Sequence, residues 1–207
     1  MTKRSGIGLA LTMALLACVG ILPARAGGAV ADNATPAGNP TVRVTHTAEG
    51  YAVEGRCSTA APRSTAWQVL TDYNAIDGFV SSMRESRVYD RSDDGKLLVE
   101  QIAEGRLLMF RRRMTVMLSI EEQPESLLRF DDVRHQDFAV YRGEWRIEER
   151  DGHREIAYRV VARPSFRVPD MIARGMFART VRELLSEVEA EMARRTPPTS
   201  AALSTVP

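Results

Sequence analysis

"FAVYRGEWRIEERDGHREIAYRVVAR", residues 138–163, sets the period of this protein. Tyr141, Gly143, Trp145 and Ile147 alternate with Arg142, Glu144, Arg146 and Glu148. After the Asp-Gly of residues 151–152, Ile156, Tyr158, Val160 and Ala162 alternate with Glu155, Arg159 and Arg163. Neighbouring residues of a strand face opposite sides, so this pattern predicts an antiparallel hairpin with one apolar face and one charged face. The charged set mixes both signs and reads as a solvated lattice of cross-strand pairs. Each exposed pair contributes only ~0.2–1 kcal/mol, so the lattice serves solubility more than stability.

Upstream, the period stays close to two from Arg84 onward. Turn signals break it near Gly95 ("SDDGK"), at Gly105 ("AEGR"), at Pro124 ("EQPES") and at Gly152 ("RDGH"). That spacing predicts about six strands in an antiparallel sheet. In "GRLLMFRRRMTVMLSIEE" (residues 105–122), the set Leu108, Phe110, Arg112, Met114, Val116, Leu118 and Ile120 is the more continuously apolar. It is assigned to the interior. Arg111 and Arg113 then join the outer lattice, while Arg112 points inward or sits at a bulge. An enclosed guanidinium must meet a carboxylate (Glu100 or Glu104 on the preceding strand), carbonyls, water or a ligand head group.

On the N-terminal side of the sheet, Val42–Ser58 reads as one strand around Gly50, with Val42, Val44, Tyr51, Val53 and Cys57 at strand-like positions. "APRSTAWQVLTDYNAIDGFVSSM" then turns helical. Pro62 and Ser64 open a helix carrying Ala66, Trp67, Val69 and Leu70, and a second short helix covers Asn74–Phe79. The last element, Asp170–Arg195, is a long helix with Pro169 before it. Its apolar stripe is Ile172, Met176, Phe177, Val181, Leu184, Leu185, Val188 and Met192, with Glu183, Glu187, Glu189, Glu191, Arg194 and Arg195 mostly off it. The expected class is α+β: a curved antiparallel sheet wrapped around a long C-terminal helix, with two short helices after the first strand.

The ends of the chain differ in composition. Lys3 and Arg4, the apolar run Ile7–Leu22 and "ARA" at residues 24–26 predict a signal peptide, 1–26, cleaved near Ala26. Lipidation at Cys18 is an alternative that the sequence leaves open. Residues 27–40 read as a flexible linker, 41–195 as the folded domain and 196–207 as an unstructured tail. Removing residues 1–26 takes Lys3, Arg4 and Arg25 from 28 basic residues set against 27 acidic ones, leaving a net charge of −2. That argues against a nucleic-acid partner. Only Cys57 then remains, so no disulfide can form within the chain, and stability must come from a core.

"AWQVLTDYNAIDGFV", "VEQIAEG", "DFAVYRGEWRI" and "EIAYRVVARPSFRVPDMIARG" resemble the polyketide cyclase/dehydrase group of the START-related (SRPBCC) superfamily, which includes coenzyme Q-binding proteins. The resemblance spans Tyr51–Arg195, with "VLTDY" and Gly143-Glu144-Trp145 its most specific pieces. It implies a helix-grip fold with a hydrophobic cavity between sheet and C-terminal helix, in a group that binds lipids, quinones, sterols or polyketides. A shared fold does not by itself assign a function.

On this reading the ligand-binding residues are Phe79, Phe110, Arg112, Met114, Tyr141, Trp145, Tyr158 and Met176, with Val80 and Met83 beside Phe79 at the mouth. Tyr141, Trp145 and Tyr158 supply a few polar atoms in apolar walls and the methionines supply adaptable surface; the alternative is a filled core in which backbone or water satisfies those polar atoms and the methionines are ordinary packing. No motif marks a catalytic centre, metal site or cofactor. "FDDVRHQDF" reads as a charged, solvated loop rather than as a metal or acid–base cluster. The expected function is a periplasmic or secreted monomeric carrier of a hydrophobic small molecule, with transient membrane contact left open. The alternative is a cyclase or dehydratase using the same cavity.

Overall fold

The computed structural model describes residues 39–92, 96–107, 110–150 and 152–197, and for residues 106, 107, 110 and 111 the backbone alone. The proposed signal segment with Cys18, nearly all of the linker, and the tail from residue 198 lie outside the described residues. Strands β1 (Thr41–Thr47) and β2 (Gly50–Thr59) precede helices α1 (Arg63–Thr71) and α2 (Ile76–Phe79). Strands β3 (Met83–Arg91), β4 (Leu97–Leu107), β5 (Phe110–Gln123), β6 (Leu127–Asp132), β7 (Phe138–Arg150) and β8 (His153–Pro164) follow, and helix α3 (Asp170–Arg195) closes the domain. The strands form one antiparallel sheet in the order β1-β2-β8-β7-β6-β5-β4-β3. β8 returns to pair with β2, so the first hairpin and the later meander share one surface. This is the α+β architecture that the sequence pattern predicts, and the helix-grip fold that the resemblance implies.

Two boundaries differ from the sequence reading. The single strand expected over Val42–Ser58 is a hairpin, β1–β2, turning at Ala48-Glu49, with the Thr47 hydroxyl donating to the Gly50 carbonyl at 3.0 Å. Gly105, expected at a turn, lies inside the β4–β5 ladder opposite Arg112, and pairing continues to Leu107 and Phe110. A glycine marks a turn only where the backbone needs its freedom, and among the described residues the positive-φ glycines are Gly50 and Gly152.

The buried face of α3 is Ala173, Phe177, Val181, Leu185, Val188 and Met192, recurring every three or four residues. It is narrower than the expected stripe, because Ile172, Met176 and Leu184 are only half-buried flanks. This face packs on β1, β2 and α1. The approach is close because of Gly55: a Cβ there would lie 2.6 Å from Leu185 Cδ1 and 2.9 Å from Val181 Cγ1. Glu191, placed off the stripe by the sequence reading, is 7% exposed. It accepts hydrogen bonds from Arg194 (2.6 and 2.7 Å) and from Arg195 Nε (2.6 Å), and Arg195 also reaches Asp72 at 2.8 Å. These bonds, from Arg194 above all, hold the Glu191 carboxyl down at about 2. The helix end thus stays fixed on α1 although an ionised group is inside.

The outer face is the expected charged lattice. Glu144 gathers Arg146 (2.7 Å), Arg159 (3.2 Å) and Arg129 (3.8 Å), Arg142 pairs with Glu49 at 2.9 Å, and Arg56 bridges Glu148 and Glu155. Arg113 is exposed; the Arg111 side chain lies outside the described residues.

Candidate functional site

Because α3 lies over the β1–β2 side of the sheet, the inner face of β5–β7 is left for α1 and α2 to cover. They cover it incompletely and enclose a cavity of about 100 Å³. Its floor comprises Leu118 and Ile120 of β5, Phe130 of β6, Tyr141 and Trp145 of β7 and Tyr158 of β8. Val69, Leu70, Tyr73, Ile76, Phe79 and Val80 form the roof, and Leu184 and Val188 of α3 form one wall.

The period of two explains why aromatic rings converge here. Tyr141 and Trp145 share the inner face with the intervening Gly143, and Trp145 lies opposite Tyr158 in the β7–β8 ladder. A Cβ on Gly143 would lie 2.2 Å from the Arg159 carbonyl oxygen and 2.7 Å from Phe130 Cζ, so the glycine makes room for the Phe130 ring. Ring centroids lie 4.4 Å apart for Trp145–Tyr158, 5.6 Å for Phe130–Tyr141 and 4.8 Å for Phe138–Tyr141. Tilted pairs at these distances suit the aromatic quadrupole and stiffen the floor.

The polar atoms of the site come from few residues. The Tyr73 hydroxyl donates to Glu122 Oε1 at 2.5 Å, and burial pushes its pKa up. Gln101 on β4 donates to the Ser86 hydroxyl at 3.3 Å. Tyr141 and Tyr158 interact through their hydroxyls, and desolvation raises the pKa of both. All three phenols therefore keep their protons at neutral pH and act as hydrogen-bond donors. One inner-face step beyond Phe130 lies Asp132, fully buried. Its Oδ1 accepts from the backbone N–H groups of Met117 (3.0 Å) and Arg134 (3.1 Å). Its Oδ2 has no hydrogen-bond partner among the described residues.

Of the residues singled out from sequence, Phe79, Tyr141, Trp145 and Tyr158 line the cavity, together with Val80 and Met83. Met114 and Met176 are partly buried against the core but do not line it. The Phe110 side chain lies outside the described residues. Arg112 stays out of the cavity, and there is no bulge: its ladder to Gly105 is regular and its side chain is 47% exposed. It pairs with Asp137 at 3.1 Å, not with Glu100 or Glu104, and lies 4.1 Å from the Phe166 ring centroid. Parity put it on the inner side, where its guanidinium meets Asp137 and the Phe166 ring instead of the cavity. Glu100 is taken by Arg87 and Arg134, and Glu104 by Arg84.

The solvated-loop reading of "FDDVRHQDF" also needs correction. His135 is exposed, but Asp132 is buried, and Asp137 binds the Thr115 N–H (2.9 Å) as well as Arg112. Sequence reasoning passed over Tyr73 and Gln101, and weighed Asp132 only as a member of the charged loop. The parity that found Tyr141 would have found two of them: Gln101 shares a face with Val99, and Asp132 with Leu128 and Phe130.

This geometry has parallels. A START superfamily protein from Mycobacterium smegmatis superposes with a TM-score of 0.61 at 13% identity, over 71% of this chain and 100% of that one. A STAR-related lipid transfer protein from Xanthomonas axonopodis gives 0.59 at 15% identity, over 77% and 97%. The aromatase/cyclase Zhui from Streptomyces sp. R1128 gives 0.58 at 14% identity, over 78% and 100%. At such identities these likenesses establish the fold alone. None of the curated proteins matches the sequence. The profile of one family, described as polyketide cyclase / dehydrase and lipid transport, matches residues 59–189. That match runs from the end of β2 well into α3 and takes in every strand and helix that lines the cavity, so the chain belongs to the polyketide cyclase/dehydrase and lipid transport family.

Proposed function

We propose that this protein is a carrier that holds a small apolar molecule between its sheet and α3, in the periplasm or outside the cell. The observation that carries the reading is the cavity itself. Its lining residues are apolar, aromatic or neutral polar, the composition of a site that orients a ligand through a few polar groups. Location rests on Lys3, Arg4, the apolar run Ile7–Leu22 and the small residues Ala24 and Ala26. At about 100 Å³ the cavity is smaller than the roughly 300–1,000 Å³ that encloses a drug-sized ligand. Its occupant is therefore ring-sized, or a longer one displaces α2, a four-residue helix with no buried residue.

The test is to express the full chain in a bacterium with a periplasm, fractionate the cells, and examine the purified protein by native mass spectrometry and solvent extraction. The expected result is a processed periplasmic chain that carries, or takes up, an apolar molecule with one-to-one stoichiometry. A cytoplasmic protein overturns the location. A protein that neither retains an apolar molecule nor binds an apolar fluorophore overturns the carrier reading.

The paired hydroxyls of Tyr141 and Tyr158 favour a second reading, a cyclase or dehydratase. Protonated phenols can donate to a substrate carbonyl as it enolises. Turnover of a polyketide-like substrate that survives the Tyr141→Phe, Tyr158→Phe double substitution would remove both residues from such a mechanism.

A further inference from the structure

We propose that Gln101 orients the occupant of the cavity and selects an apolar ring that carries a neutral O–H or N–H group. The inference rests on the carrier reading above and names the ligand class. Gln101 lies on the inner face of β4, in line with the fully buried Val99 two residues before it. Across the ladders it meets Val116 of β5 on one side and Ser86 of β3 on the other. An amide among such neighbours is costly unless its polar atoms are matched. Its nitrogen is matched: Nε2 donates to the hydroxyl of Ser86, itself buried, at 3.3 Å. Its oxygen, Oε1, receives no hydrogen bond among the described residues.

That oxygen is within reach of a ligand. Gln101 is half-buried and lines the cavity. Among the described residues the fully enclosed side-chain oxygen without a partner is Asp132 Oδ2, so the unpartnered Oε1 of Gln101 keeps an accessible surface. Structural support does not account for the polar pair, because it uses a single N–H, and two apolar side chains of the same size would hold β3 to β4 about as well. The strand order sets Gln101 on β4 across the cavity from Trp145 on β7 and Tyr158 on β8, with Leu118, Ile120 and Phe130 between them. An occupant can therefore lay its apolar body on the aromatic floor and turn its head group toward Gln101. Ser86 holds the amide in place before the ligand arrives, which lowers the cost of orienting it.

The other common head groups fit less well. No lining residue is charged, so a carboxylate, phosphate or ammonium would enter without a counter-ion. Arg195, which lies 5.7 Å from the Phe79 ring centroid at the mouth, is engaged by Glu191 and Asp72. The Tyr73 proton is already given to Glu122. A ketone or aldehyde could take the second N–H of Nε2 but brings only lone pairs to Oε1. A hydrocarbon leaves Oε1 unmatched altogether. A phenol, an alcohol or an amide N–H supplies the missing donor.

The experiment uses four single-ring probes of similar size on the purified full chain, with affinities read by calorimetry or fluorophore displacement: para-ethylphenol, para-ethyltoluene, para-ethylbenzaldehyde and para-ethylbenzoate. The toluene has the shape of the phenol and is the more hydrophobic, so a cavity without a free acceptor prefers it. The native protein is expected to reverse that order, binding the phenol at least about fivefold more tightly than the toluene or the aldehyde, with the benzoate weakest. Gln101→Met keeps the length of the side chain and removes the acceptor, and adding Ser86→Ala removes the hydroxyl that the first change strands. In both variants the toluene is expected to bind at least as tightly as the phenol. Equal binding of the two by the native protein, or preference for the toluene, overturns the inference, as it would if buried water alone satisfied Oε1. Preference for the aldehyde, the result expected if the amide nitrogen faced the cavity, overturns it too, as does preference for the benzoate. A phenol preference that persists in a folded variant assigns the selectivity to another lining residue and removes Gln101 from the role. The native order decides the ligand class even if neither variant folds. If no probe and no apolar fluorophore binds, the carrier reading itself fails.

Discussion

The two faces of the sheet handle polar groups in opposite ways. On the outer face Arg129, Arg142, Arg146 and Arg159 each have a carboxylate within 4 Å, three of them share Glu144, and none is enclosed. On the inner face polar atoms are few and buried, and one of them, Asp132 Oδ2, is unmatched. Water screens the outer pairs, so each can be lost cheaply. Nothing screens the inner ones, so a missing partner there points either to a ligand or to a cost. Glu191 crosses the divide as an inner-facing carboxylate satisfied by arginines that reach in from outside.

This contrast can be broken by measurement, beginning where the effect is largest. Leu185 is fully buried where α3 meets Gly55. Leu185→Ala is expected to cost about 3–5 kcal/mol in urea unfolding, because the packed helix cannot collapse onto the space left. A smaller loss is expected from Gly143→Ala, about 2–3 kcal/mol, since the added Cβ meets the Arg159 carbonyl oxygen, which belongs to the sheet and cannot rotate away. A neutral Gly143→Ala variant would show that the inner face near Trp145 is looser than the ring packing indicates.

Third comes the carboxylate that crosses between the faces. The Glu191 carboxyl is lowered from 4.5 to about 2, so its stabilisation is fully present above pH 4.5 and is lost as the pH falls from there through about 2. Solvent around Arg194, 70% exposed, reduces the effect to about 1–2 kcal/mol. Unfolding at pH 6 and pH 3 should show that loss in the native chain and much less of it in Glu191→Gln. The smallest effect is on the outer face: Arg142→Ala should change stability by no more than ~0.5 kcal/mol and should not alter ligand binding. A loss near that of Leu185→Ala would abolish the distinction between the faces.

How much of this was legible depends on the kind of information involved. Tyr141, Trp145 and Tyr158 were found from parity, because side-chain direction along a strand is local and every second residue must share a face. The same rule misjudged Arg112. Parity states which side a residue faces, but whether that side is covered depends on which helices lie over it, which is set by contacts distant in sequence. Asp132 was missed for the converse reason. Its polarity suggested a loop, whereas its position as the last residue of β6 puts it on the covered part of the inner face. Glu191 was misplaced because a charged residue can enter a helix interface when two arginines from the same helix follow it inward.

The sequence by itself determined the antiparallel α+β class, the two short helices, the closing helix with its Asp170–Arg195 bounds, and which set of residues on β7 and β8 faces inward. These follow from alternation, helical spacing and turn chemistry, all of which act within a few residues. Only the tertiary structure decided that Arg112 stays outside, that Asp132 is enclosed with an idle oxygen, and that a cavity of about 100 Å³ remains beneath α1 and α2. Those outcomes depend on how a straight helix fills a curved sheet, and that fit is a property of the assembled surfaces rather than of any one segment.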